Sequence, residues 1–224
     1  MRLSIVIPAW NEARAIAASV AQARRVADEV VVADGGSTDG TADLARGAGA
    51  RVVRAPKGRG VQLDLGARAS GGDTLLFLHA DATLRGDARG AIERALASAA
   101  VAGGNFRLRF VPPSPAARLF GAANDLRRRW MRVYYGDSGI FVRRQVYLEL
   151  GGFAHWPLFE DLDFARRLER FGETRYVTEA EVHVSSRRFA GSPIRTLALW
   201  ATLRGLYAAG ISPARLARWY ADLR

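Results

Sequence analysis

Four short apolar runs punctuate the first eighty residues. Residues 3–8, 29–33, 50–54 and 74–78 are β-branched or apolar almost throughout, which predicts strands covered on both faces. Between them lie Ala-rich, helix-like stretches at 12–27, 38–47 and 62–70, and another follows at 87–99. Strands alternating with helices of this length predict βαβ units and a parallel sheet. Gly47 and Gly49 stop the second helix, and Gly71 and Gly72 the third.

The pattern changes after residue 100. Residues 101–110 alternate, Asn105 and Arg107 against Phe106 and Leu108, as in a longer strand of a mixed sheet. Pro112, Pro113 and Pro115 then break regular structure, and a helix is expected over 116–133. A short strand at 138–142, a short helix at 144–150 and a helix at 164–171 follow. Late strands are expected at 176–178 and 182–185, and tail helices at 194–209 and 213–223. With no internal repeat and no low-complexity linker, residues 1–224 read as one α/β domain.

Composition narrows the partners. A 49% hydrophobic content supports a core, and the absence of cysteine excludes disulfides and thiolate zinc sites. The formal charge of +11 is almost entirely arginine, since Lys57 is the only lysine. These cations are spread along the chain, so nucleic acid is not the expected partner; anionic lipid or a phosphorylated substrate explains the charge equally well. No signal peptide is expected, because residues 1–9 are too short and Pro8 and Asn11 come before any cleavable apolar region develops. Residues 196–209 contain Arg204 and fall short of the roughly 20 residues that span a bilayer. A cytoplasmic protein is expected, with a peripheral place at the inner membrane face left open.

Ligands of open α/β sheets bind beyond the carboxyl ends of the strands. There the sequence sets Pro8, Ala9, Asn11 and Glu12 after the first strand, and Asp34 to Asp39 after the second. Lys57 follows the third strand; His79 and Asp81, in "FLHADATL", follow the fourth. Capping gives each a plainer role: Asn11 for the first helix, Ser37 or Thr38 for the second, Asp81 for a turn. Capping does not explain why acids and a lone lysine gather on one edge.

The motifs "IVIPAWNE" (5–12), "VVVADGGSTDGT" (30–41), "KGRGVQLDLGA" (57–67), "FLHADATL" (77–84), "GDSGIFVRR" (136–144) and "FEDLDFARRL" (159–168) resemble a family 2 glycosyltransferase of GT-A fold. The resemblance runs from about residue 3 to residue 190, and six motifs in this order are specific. "ADGGSTDGT", "HAD" and "SSRRF" look most like a compact bacterial subgroup associated with radical-SAM, selenium-domain or arsenosugar gene neighbourhoods. The resemblance implies a Rossmann-like three-layer α/β/α fold with a mostly parallel sheet. Residues 1–100 would form the nucleotide-sugar half, 101–190 the acceptor and catalytic half, and 191–224 a helical tail.

It also implies an activity: inverting, metal-dependent transfer of a sugar from a nucleoside diphosphate sugar, most often a UDP-sugar, to an acceptor hydroxyl. The cofactor would be Mn2+ or Mg2+, held by Asp81, with His79 replacing the first acid of the family's Asp-x-Asp motif. Asp34 would read the base, with Pro8, Ala9, Asn11 and Glu12 closing that pocket and Lys57 or Arg59 meeting a phosphate or the base. Asp161 would be the catalytic base, supported by Glu160 and Asp163. The three acids, at the head of a helix, could instead serve only its dipole. Asp137 would contact donor or acceptor, and Arg187 and Arg188 the diphosphate. The acceptor is open, a small molecule or a lipid-linked one. Trp200, Tyr207, Trp219 and Tyr220 with their arginines make the tail a candidate membrane surface, homodimer surface or core packing.

Two other readings remain. A sugar-phosphate nucleotidyltransferase would need a glycine-rich loop after the first strand, where "PAWNEAR" has none. An inactive nucleotide-sugar-binding or membrane-peripheral module is favoured only by His79.

Overall fold

A computed structural model of the chain describes residues 1–186 and 193–222. One mixed eight-stranded sheet runs through the molecule in the order β3-β2-β1-β4-β7-β6-β8-β5. Strands β1 (Leu3–Ala9), β2 (Glu29–Asp34), β3 (Arg51–Arg54) and β4 (Thr74–Phe77) form its parallel half. Helices α1 (Ile16–Ala23), α2 (Thr41–Gly47) and α3 (Arg59–Ala69) make the crossovers. Strand β5 (Thr83–Arg85) and helix α4 (Ala88–Ala95) lead into β6 (Val101–Val111) and α5 (Pro115–Met131). Next come β7 (Ile140–Arg143), α6 (Arg144–Glu149), α7 (Glu160–Phe171) and β8 (Glu173–Ser185). Helices α8 (Pro193–Ala208) and α9 (Pro213–Asp222) end the chain. The second half is mixed: β7 runs against β4 and β6, and β5 against β8, while β6 and β8 are parallel.

Alternate side chains of β1 feed opposite layers. Ile5 and Ile7 join Val20, Ile92, Phe106 and Val182 on one face; Val6 joins Leu63, Phe77, Tyr147 and Phe164 on the other. All are buried, each contributing about 1.5–3 kcal/mol. The second layer centres on an aromatic cluster. Phe77 meets Phe153 edge-on at 4.8 Å, and Phe153 lies 4.6 Å from Phe164, so the approach to α7 is packed tightly onto the sheet.

Several boundaries depart from the sequence pattern for local reasons. The α1 helix starts at Ile16, not residue 12, because Asn11 turns into left-handed backbone (φ 54°). Glu12 and Ala13 then donate their N–H groups to Thr41 Oγ1 (2.8 Å) and Asp39 Oδ2 (3.0 Å). The α7 helix starts early, at Glu160, after Phe159 adopts φ 64°. The two late strands are one, β8: register jumps from Phe106↔Val177 to Arg107↔Glu181, so residues 178–180 bulge out. Strand β5 has no signal in the sequence, because its three residues are stabilised by distant partners: pairing with β8 and two hydrogen bonds between Leu84 and Gln22 of α1.

Candidate active site

Pairing of β1 with β4 ends at Val6↔Phe77, while pairing with β2 continues to Ala9↔Asp34. The sheet therefore splits just before Pro8, which has no N–H to lose there. This is the crevice between strands whose crossovers leave in opposite directions.

Side chains stitch the loops on this rim. Asn11 accepts from Thr38 N–H at 3.0 Å and gives its own N–H to Ser37 Oγ at 2.9 Å. Neither α1 nor α2 has a side-chain cap, so the capping roles for Asn11, Ser37 and Thr38 give way to loop–loop bonds. Asp34 is buried at the end of β2 and accepts from the N–H groups of Gly36 and Ser37, each at 3.2 Å. Its remaining lone pairs leave room for a ligand donor. Buried Gln62 ties the rim together, donating to Ala9 O (2.7 Å) and Ala33 O (2.8 Å). Lys57 Nζ sits 3.2 Å from the centroid of the Trp10 ring. Trp10 was missed by sequence reasoning, although an exposed tryptophan between a strand end and Asn-Glu was the available signal.

Asp81 is exposed and His79 half-buried in the turn after β4. Burial pushes the Glu12 carboxyl above its usual range, and the charges of Asp81 and then Asp39 push the same way. Glu12 and Asp81 thus repel each other. An oxygen-rich rim of this kind suits a hard divalent ion that keeps phosphate and water among its ligands. Among the described residues no three His, Cys, Asp or Glu side chains gather closely enough to hold an ion alone.

The second part of the site is a buried charge cluster. Asp161, in the first turn of α7, accepts the Gly136 N–H on Oδ2 (2.8 Å) and the Leu162 N–H on Oδ1 (2.7 Å). Arg59 places a terminal nitrogen 3.4 Å from Asp161 Oδ2 and donates its Nε to Glu160 Oε1. Glu160 is fully buried, and Oε2 has no hydrogen-bond partner among the described residues. Burial raises the Glu160 carboxyl; Arg59 opposes this and Asp161 adds to it. For Arg59 burial works against the charge, but Asp161, Glu160 and Asp137 outweigh it and hold the guanidinium charged. A Cβ on Gly136 would stand 3.2 Å from Asp161 Oδ2 and 3.5 Å from His79 Nε2. Acid and imidazole therefore flank one point, and glycine keeps it open.

The third acid is placed elsewhere. Two residues along α7, Asp163 points to another face and pairs with Arg167 at 2.7 Å. Arg167 in turn donates to Leu150 O (2.6 Å) and Gly152 O (2.8 Å), so this pair holds the loop after α6. Asp64 is also structural, accepting from Tyr147 Oη and Arg68 Nε at 2.9 Å each. Asp137 is half-buried in the 3-10 turn Gly136–Ser138, where its charge acts on both Arg59 and Arg127. Arg187 and Arg188 lie outside the described residues.

The tail joins this corner. Tyr207 of α8 stacks on Phe159 at 4.7 Å, with Arg166 5.5 Å from its ring, and Leu203 and Leu216 are buried. The tail's aromatic content thus serves packing within the chain, although Trp219 stays exposed. No helix among the described residues is long and apolar enough to cross a membrane. An open groove of about 870 Å³ lies at the far edge of the sheet, by Met1, Asp73 and Arg143. Its arginines are engaged by backbone: Arg143 donates to Val101 O and Leu96 O, Arg144 to Ala67 O. It therefore reads as framework.

No curated protein matches the chain's sequence. Solved structures do share its fold. Glucosyl-3-phosphoglycerate synthase from Mycobacterium tuberculosis, in complex with Mn2+, UDP and phosphoglyceric acid, is similar at 20% identity and TM-score 0.59, covering 94% of this chain and 79% of that one. Mannosyl-3-phosphoglycerate synthase from Rubrobacter xylanophilus is similar at 16% identity and TM-score 0.53, covering 92% and 75%. S. aureus TarS in complex with UDP-GlcNAc is similar at 16% identity and TM-score 0.61, covering 84% and 59%. At these identities the likeness establishes the fold alone. The family model described as "Glycosyl transferase family 2" matches residues 4–151, about two thirds of the sequence, and the chain belongs to that family.

Proposed function

We propose that the protein transfers a sugar from a UDP-sugar to an acceptor hydroxyl with inversion, with Asp161 as the base. The observation that carries this reading is the setting of Asp161. Two backbone N–H groups orient its carboxylate, Arg59 steadies it, and the glycine at 136 leaves space before it. In the reaction the acceptor hydroxyl gives its proton to Asp161 as its oxygen attacks the anomeric carbon. The bond from that carbon to the diphosphate breaks, and UDP leaves with the electron pair.

Asp34, with Pro8, Ala9, Asn11 and Glu12 around it, holds the nucleoside, and Lys57 with Trp10 closes its outer side. Asp137 contacts donor or acceptor. Asp81 would hold a divalent cation, Mn2+ or Mg2+, with His79 as a second donor; when bound, the ion neutralises the departing diphosphate. Similar structures named with UDP, UDP-GlcNAc and Mn2+ support this donor and cofactor. The compact subgroup named above, and a soluble or lipid-linked acceptor, belong to the same reading.

Calorimetry with UDP and GDP, with and without Mn2+, tests the donor side on the wild type and Asp81→Ala. Binding should favour UDP with metal and weaken in the variant. Metal-independent binding, unchanged by Asp81→Ala, would sink the metal proposal.

A further inference from the structure

Helix α5 packs Ala117 and Phe120 against the core, yet it buries a charge as well. Its buried row is Ala117, Gly121 and Arg128. The Arg128 guanidinium is fully provided for: Nε donates to Asn105 Oδ1 (2.5 Å), a terminal nitrogen donates to Thr174 Oγ1 (2.9 Å), and Glu169 lies at 3.3 Å. The opposite row, at spacings of seven and four residues, is Leu119, Leu126 and Trp130. These side chains are 68%, 61% and 81% exposed. Ala122 and Ala123, both exposed, fill the row between them. One exposed leucine is ordinary, but a continuous apolar row ending in an exposed tryptophan marks a contact surface.

Charge says what covers it. Arg118 and Arg129 border the row, both exposed. The only acid of α5, Asp125, is turned inward, bonded by Tyr176 Oη (2.5 Å) and 3.5 Å from Arg107. The outward face is therefore apolar with a positive border, on a chain of net charge +11. A second copy placed on this face would oppose arginine with arginine and bring no acid from α5 to meet it. An anionic lipid surface offers both acyl chains for the row and phosphates for the border. We propose that α5 lies in the headgroup layer of an anionic bilayer, with Leu119, Leu126 and Trp130 inserted and Arg118 and Arg129 on the phosphates.

The test is flotation of the full chain with phosphatidylglycerol vesicles and with phosphatidylcholine vesicles. Binding is expected only to the first. Leu126→Ser with Trp130→Ser should weaken it by roughly tenfold or more. Arg118→Gln with Arg129→Gln should weaken it about twenty-fivefold, near fivefold per arginine. All four positions are exposed, so unchanged melting curves are expected and will show that folding is kept. A tail variant, Trp219→Ser with Arg215→Gln and Arg218→Gln, should bind as the wild type. Three outcomes overturn the proposal: no binding by the wild type, unchanged binding by the α5 variants, or loss only in the tail variant. Light scattering covers the other occupant: a lipid-free dimer that the α5 apolar variant dissociates would assign the row to a second copy and also overturn it.

Discussion

The rim around Asp34 and the corner around Asp161 share one sheet edge, yet different forces hold them. At the rim, neutral side chains bond to the backbone of neighbouring loops and strand ends, as Asn11 does with Thr38 and Gln62 of α3 with Ala9. Each such bond is worth about 1 kcal/mol. At the corner, Arg59 joins residues more than a hundred positions away, and Glu160 is buried with one oxygen unsatisfied. Such pairs contribute little net stability, but removing one partner is costly. The rim is built to shape a surface; the corner is built to keep charge in a fixed place.

Four changes test this contrast, starting with the largest effect. Asp161→Asn keeps size and removes basicity, so transfer should fall by about 10²–10⁴-fold while UDP affinity stays within roughly twofold. Turnover near wild type would remove Asp161 as the base. Arg59→Ala strands two buried carboxylates, and chemical denaturation should show about 3–5 kcal/mol of lost stability. A loss under about 1 kcal/mol would make the corner no different from the rim.

Glu160→Gln tests burial of charge through pH. Burial raises the folded carboxyl above its ordinary value of 4.5, so the unfolded chain releases that proton first as pH rises. Stability is therefore lost as pH climbs from about 4.5, the unfolded value, through the higher folded value, and below 4.5 the group contributes nothing. Melting temperatures from about pH 4 to 8 should fall more in the wild type than in the variant; parallel profiles would rule out this cause. The smallest effect belongs to the rim. Lys57→Ala should cost UDP affinity only about two- to fivefold and lower stability by no more than roughly 0.5–1 kcal/mol, the worth of an exposed cation–π contact such as the one with Trp10.

The rim was largely legible in the sequence and the corner was not. Apolar runs located β1 to β4, and the polar residues after each gathered where the pattern placed them, because βαβ order alone dictates that edge. The acids of "FEDLDF" were visible, but not their separation into a pair beside Arg59 and a strut on Arg167. That division depends on where α7 begins, which the backbone of Phe159 decides. In α5 the apolar period was present, yet its direction was not. Which face turns inward depends on Asn105, Thr174 and Glu169 accommodating Arg128, and no local pattern encodes those partners.

The contact between Gly136 and Asp161 works as a tolerance of one carbon atom. An alanine there would press a methyl group against the Asp161 carboxylate at 3.2 Å and narrow the gap to His79 without altering a single charge. Any growth at position 136 therefore has to displace the Asp161 carboxylate.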